Sequence, residues 1–89
     1  SIVVETESGG YTLVSKGAFA QIAEVCTTVR LPGGAAEPFN NRRAEVQTLF
    51  ERYGDSGYRV LAVAGKNVDK ADLNKEDERD MTFEGFILL

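Results

Sequence analysis

Tyr58-Arg59-Val60-Leu61-Ala62-Val63-Ala64 is apolar at every position except Arg59. A short run with no polar alternation reads as a strand at the centre of a sheet, covered on two sides. Upstream, Gly54-Asp55-Ser56-Gly57 carries stop chemistry for a helix. Behind it Val46, Leu49, Phe50 and Tyr53 fall at i, i+3, i+4 and i+7, one helical stripe, with Asn40 or Asn41 placed to cap it. Arg42, Arg43, Glu45, Glu51 and Arg52 lie mostly off that stripe and read as its solvated face. Downstream, Lys66 to Asp80 is a polar, charge-dense connection, and Met81 to Leu89 is a last strand with Gly85 as a bulge or close-approach point.

The first third adds a hairpin and a second helix. Ile2-Val3-Val4 and Tyr11 to Ser15 read as strands joined by the turn residues Glu7-Ser8-Gly9-Gly10. From Phe19 the period changes: Phe19, Ile22, Ala23 and Cys26 share one helical face, which makes Cys26 a small core hydrophobe. Val29-Arg30-Leu31 is a short extended piece closed by Pro32-Gly33-Gly34. The expected fold is therefore α+β, in the order β-β-α-(β)-α-β-β: a mostly antiparallel sheet with two helices packed on one face.

Bulk composition narrows the chemistry. A chain of 89 residues is one small domain, spanning 1–89. A single cysteine rules out an internal disulfide and points to a reducing compartment, and the absence of histidine removes the commonest general base and zinc ligand. The net charge of -4 argues against nucleic acid or an anionic membrane surface as partner, yet leaves room for a nucleotide held by one or two local cations. No apolar run approaches the roughly 18 residues needed to span a bilayer. The chain opens at Ser1 without methionine and stops inside an apolar run at Leu89; both ends are expected to be cuts in a longer protein.

Two places break local rules. Lys16-Gly17 stands where a strand gives way to a helix, with unpaired N–H groups and a mobile cation beside them, an anion or polar-ligand site or simply a turn with a surface lysine. Gly17 also lacks the Cβ that would hold a flat ring away from the backbone. Arg59 heads the central strand, where a guanidinium must find water, a carboxylate or a bound anion. The acids Asp69, Asp72, Glu76, Asp77, Glu78 and Asp80 lack calcium-loop spacing, so no metal site is expected there.

Four stretches, in order and at matching spacing, resemble landmarks of the nucleotide-binding domain of P-type cation-transporting ATPases. They are Leu13-Val14-Ser15-Lys16-Gly17-Ala18, Glu24-Val25-Cys26-Thr27-Thr28-Val29-Arg30, Gly57-Tyr58-Arg59-Val60-Leu61-Ala62-Val63-Ala64 and Asp77-Glu78-Arg79-Asp80-Met81-Thr82-Phe83-Glu84-Gly85-Phe86. The wording is most similar to the bacterial magnesium-importing branch. The resemblance covers essentially the whole chain, as the C-terminal part of that domain, and implies that ATP is bound. By that likeness Lys16 lines the adenine end of the pocket, Gly17 lets the ring sit close, and Arg59 reaches the phosphates. Ala18 completes the motif as a packing residue.

The family's adenine-stacking aromatic, a nearby acid and a second arginine belong upstream of this stretch. Its phosphorylated aspartate, in a D-K-T-G sequence, and its magnesium-binding acids belong to a separate phosphorylation domain. This chain alone is thus expected to hold ATP and not to hydrolyse it. Its implied partners are the phosphorylation and actuator domains of the same parent, a bacterial inner-membrane protein on whose cytoplasmic side this domain would sit without touching lipid. Two other classes stay open: a non-enzymatic α+β module that docks a protein through its sheet edge or acidic connection, and a free-standing regulatory domain that senses nucleotide.

Overall fold

A computed structural model describes residues 2–7, 9–31, 33–68 and 79–89. In chain order these form β1 (Ile2–Glu5), β2 (Tyr11–Gly17), α1 (Phe19–Val25), β3 (Cys26–Arg30), β4 (Ala36–Pro38), a 3-10 turn (Phe39–Asn41), α2 (Arg43–Asp55), β5 (Val60–Val68) and β6 (Met81–Leu88). The strands make one six-stranded sheet in the order β1-β2-β5-β6-β3-β4. Every neighbouring pair is antiparallel except β3 and β6, which run parallel, so the sheet is mixed. The expected α+β class and mostly antiparallel pairing hold. No helix among the described residues is long and apolar enough to cross a membrane.

Register and alternation sort the side chains. Leu13, Ser15, Ala62, Ala64, Met81, Phe83, Cys26 and Val29 are buried on one face, under α1 and α2. There Phe19 of α1 stacks on Phe50 of α2 at 4.8 Å between ring centroids and meets Phe83 at 6.0 Å and Phe86 at 5.7 Å. Ala62 lies opposite Phe86 and Ala64 opposite Phe83, so a small residue beside each ring leaves space for it beneath the helices. The opposite, outer face carries Val14, Lys16, Leu61, Val63, Thr82 and Glu84, and no described element crosses it. This corrects the expectation of a central strand covered on two sides. Leu61 and Val63 are only half-buried, because the helices occupy a single layer.

One irregularity matters to everything near it. Between Val63 and Ala64 the β5–β6 register shifts: Gly85 pairs with Val63 and Phe83 with Ala64, leaving Glu84 as the extra residue. The bulge resets the alternation, which lets both Phe83 and Phe86 face the helices although three positions separate them. Gly85 takes φ 151, a conformation that disfavours a side chain. The expected bulge at Gly85 is therefore present.

Several local expectations give way. Cys26 opens β3 instead of closing the helix: α1 stops at Val25, where the β-branched run Thr27-Thr28-Val29 takes up pairing with β6. The thiol stays in the core, as expected. Strand β4 was not anticipated, and Asn40 and Asn41 lie in the 3-10 turn instead of capping α2, whose N-cap is Arg42 without a side-chain cap bond. Leu49 is exposed rather than buried with Val46, since the groove beside it is open. Strand β5 runs on through Gly65-Lys66-Asn67-Val68 into the stretch expected to be a connection. The acids Asp69, Asp72, Glu76, Asp77 and Glu78 lie outside the described residues. The hairpin is as expected: Thr6 N–H donates to the Gly10 carbonyl at 2.8 Å, and Gly9 takes φ 88 in the turn.

Candidate functional site

Lys16 and Gly17 are the last two residues of β2, paired across the ladder with Val63 and Ala62. The chain then turns through Ala18, whose carbonyl accepts from Ile22 N–H at 3.0 Å as α1 begins. Arg59 lies just ahead of β5 and extends its pairing with β6: Arg59 N–H donates to the Leu89 carbonyl at 3.1 Å and Leu89 N–H returns the bond at 2.9 Å. Alternation along β5 assigns Arg59 to the face of Leu61 and Val63. Tyr58 gives an independent check, since its ring meets Tyr53 of α2 at 6.5 Å and so lies on the helix side. Lys16 and Arg59 therefore share the outer face. Four residues of extended chain, about 13 Å, separate Arg59 from the Lys16 level.

Most other basic side chains among the described residues are engaged, though Arg52, exposed on α2, has no ion pair either. Arg30 is paired with Glu84, Arg42 with Glu37 and Glu45, and Arg43 lies over the Phe39 ring at 4.8 Å. Lys66 Nζ donates to the Arg79 carbonyl at 3.0 Å. Lys16 and Arg59 are exposed, and among the described residues neither has an ion-pair partner. Two such cations on the face opposite α1 and α2 make an arrangement that an extended polyanion could bridge.

Gly17 contributes differently. By register it belongs to the helix side, where an added Cβ would lie 3.8 Å from Ile22 Cδ1, an ordinary contact. The space there does not demand glycine, and the missing Cβ would point to the helix side, away from the face that carries Lys16.

A hollow of about 300 Å³ lies on the same outer face, lined in part by Val14, Val63, Gly65, Thr82, Glu84 and Arg30. Lys16 stands opposite Val63 at its edge. Neither Lys16 nor Arg59 lines it, so the cleft expected between them is an open face with a hollow at one end. A second, more apolar groove of about 550 Å³ runs along α2 past Ala44, Val46 and Leu49.

Burial pushes the Cys26 thiol up to about 11, reinforced by the nearby Glu84 carboxylate and opposed by Arg43, so the group is an inert core thiol at neutral pH. The hydrogen bond to Glu37, more than its charge and that of Glu45, raises the Arg42 guanidinium further above its ordinary value. Among the described residues no three acid, cysteine or histidine side chains gather where a metal could be held. The hollow around Gly65 and Glu84 was not foreseen from sequence; the expected bulge at Gly85 was the only signal pointing near it.

A family model described as P-type ATPase, cytoplasmic domain N, matches residues 1–88. The chain is 36% identical over 89 residues to "Magnesium-transporting ATPase, P-type 1" of Salmonella typhimurium, covering 98% of this chain and 10% of that protein. It is 30% identical over 86 residues to "Plasma membrane calcium-transporting ATPase 4" of Bos taurus, covering 94% of this chain and 7% of the relative. "Sodium/potassium exporting P-type ATPase cta3" of Schizosaccharomyces pombe is 36% identical over 72 residues, 81% of this chain and 7% of the relative. The chain thus spans about a tenth or less of the length of these relatives. With a mixed sheet layered under two helices and a match along nearly its whole length, the chain belongs to the P-type ATPase domain N family.

Proposed function

We propose that this chain is the nucleotide-gripping part of a cation-transporting P-type ATPase. ATP lies along the outer face of the sheet, its base end at Lys16 and Gly17, its phosphates toward Arg59. The observation that carries this reading is a pair of cations, without an ion-pair partner among the described residues, on the face of the sheet opposite α1 and α2 and about 13 Å apart along the strands. An anionic ligand gains most from cations that no carboxylate already neutralises. This domain would present ATP to a phosphorylation domain of the same parent, where magnesium and the acceptor aspartate are held. Phosphoryl transfer depends on such positioning and charge neutralisation, so a domain without acceptor or metal still contributes by fixing the nucleotide. Magnesium is the cargo favoured by the Salmonella relative's name, within a membrane-embedded parent whose nucleotide domain faces the cytoplasm.

Titration of the ¹⁵N-labelled chain with ATP, followed by amide shifts, tests the assignment. Shifts are expected at Lys16, Gly17 and Arg59, and Arg59→Ala is expected to weaken binding about five- to thirtyfold, the weight of charge-assisted contacts at an exposed site. Raising the salt concentration should weaken it further. Saturating ATP with no response at those three residues would remove the nucleotide reading and leave a protein-docking role for this domain.

A further inference from the structure

The hollow beside Lys16 contains a carboxylate held in place. Arg30 Nε donates to Glu84 Oε1 at 3.2 Å and Arg30 Nη2 to Oε2 at 3.4 Å, while Arg30 Nη1 is anchored on the Gly34 carbonyl at 3.0 Å. The guanidinium occupies one side of the carboxylate only, so each oxygen keeps acceptor capacity. The floor is Gly65: a Cβ there would lie 3.9 Å from Glu84 Oε2 and from its Cγ, so the backbone under the carboxylate is bare. Alternation from Thr82 through Phe83 puts Glu84 on this face, and the bulge that follows leaves it unpaired with β5.

Position along the strands decides what the hollow could receive. Gly65 lies two residues, about 7 Å, beyond the Lys16 level, on the side away from Arg59. A nucleotide with its phosphates at Arg59 and its base near Lys16 directs the far edge of the base into the hollow. In a purine that edge, opposite the glycosidic bond, carries the substituent on C6. Val14 and Val63 supply apolar surface for the ring, and Glu84 supplies an acceptor for the C6 group. A free anion gains little from Arg30, which Glu84 already neutralises, and the other cation lining the hollow, Lys66, has its Nζ turned to the Arg79 carbonyl at 3.0 Å. A metal fits poorly, because no other acid among the described residues converges there.

From this juxtaposition we infer that Glu84, clamped by Arg30 over the bare backbone of Gly65, reads the base: it accepts a hydrogen bond from a 6-amino purine and disfavours a 6-oxo purine, whose carbonyl would face a carboxylate. The inference rests on the nucleotide reading above, since the hollow gains its meaning from a base placed at Lys16.

Inosine triphosphate differs from ATP at the C6 edge of the base, with an oxo group in place of the amino group and a proton on N1, which makes the pair a probe of that edge, and inorganic tripolyphosphate isolates the phosphate end. ATP is expected to bind about five- to tenfold tighter than inosine triphosphate and to shift the amides of Gly65, Thr82 and Glu84, as a single charge-assisted hydrogen bond at a half-open site allows. Tripolyphosphate should move Arg59 and leave those three unmoved. Glu84→Gln, isosteric and able to donate as well as accept, should bring the two nucleotides within about twofold of each other. Equal binding of ATP and inosine triphosphate to the unsubstituted chain, with Lys16 and Arg59 responding to both, would overturn base reading while leaving the nucleotide site standing. Response of Gly65 and Glu84 to tripolyphosphate would overturn it too, by making the hollow an anion site. Silence at Lys16 and Arg59 with every ligand would remove both readings together.

Discussion

Replacing Gly85 with alanine tests the feature on which both faces of the sheet depend. An added Cβ at this position would meet nothing within 4 Å, so the substitution introduces no clash. What it does introduce is a side chain at φ 151, a region that is essentially glycine territory. Holding a residue in so sparse a region costs about 1–3 kcal/mol, and the stiffer unfolded chain returns about 0.4–1 kcal/mol. The net loss is about 1–2 kcal/mol. At about 4–8 °C per kcal/mol for a domain of this size, Gly85→Ala should melt about 5–15 °C lower, with a reduced urea midpoint and an unchanged slope.

Gly65→Ala is the matched control on the neighbouring strand. Its backbone lies outside the strained region, and its nearest contact, 3.5 Å from the Leu13 carbonyl oxygen, is ordinary. It should stay within about 1 kcal/mol of the parent. Urea denaturation followed by far-UV circular dichroism measures both variants. Equal stability of Gly85→Ala and the parent, or an equal loss in both variants, would show that the bulge does not depend on the unusual φ of Gly85.

Phe19→Ala should cost about 3–5 kcal/mol, most of the stability of a domain this small, because the ring touches α2 and β6 at once; a urea midpoint close to the parent's would contradict the packing. Stability should fall as pH rises from about 9 toward 11, by about 1–3 kcal/mol. The unfolded thiol ionises first while the buried Cys26 thiol retains its proton, so the unfolded state binds fewer protons in that window. Denaturation of the parent and Cys26→Ala across that range checks the sign, and a Cys26→Ala variant with the same decline would assign it elsewhere. The chain's affinity for ATP should be millimolar, about -4 kcal/mol, since no described aromatic lies on the outer face to stack the base, a contact worth about 1–3 kcal/mol. A dissociation constant below about 10 µM by calorimetry, about -7 kcal/mol, would refute the open-face picture.

The layering was largely legible because it rests on local signals. The hairpin follows from its glycines, α1 from the spacing of Phe19, Ile22 and Ala23, and the bulge from a lone glycine inside a strand. Cys26 shows where such signals stop. Its helical spacing from Phe19 is real, yet pairing with Met81 on a strand far along the chain decides its conformation. The run from Val60 to Ala64 is apolar at every position, which describes a two-sided strand; only the folded arrangement shows that the apolar residues Leu61 and Val63 face the side opposite α1 and α2. Lys16 and Arg59 stood out as charges at odd places. Glu84 did not, because its surroundings depend on Arg30 of β3 and Gly65 of β5, which only the sheet order brings to either side of it.

That strand order also constrains how the chain can assemble. β1 and β2 join the rest only through β5, while β3 and β4 join only through β6. The two early halves therefore share no hydrogen-bonded seam until the final hairpin forms between them. During synthesis the hairpin can pair with β5 as soon as that strand emerges, but β3 and β4 stay outside the sheet until β6 arrives, and that strand acts as the keystone.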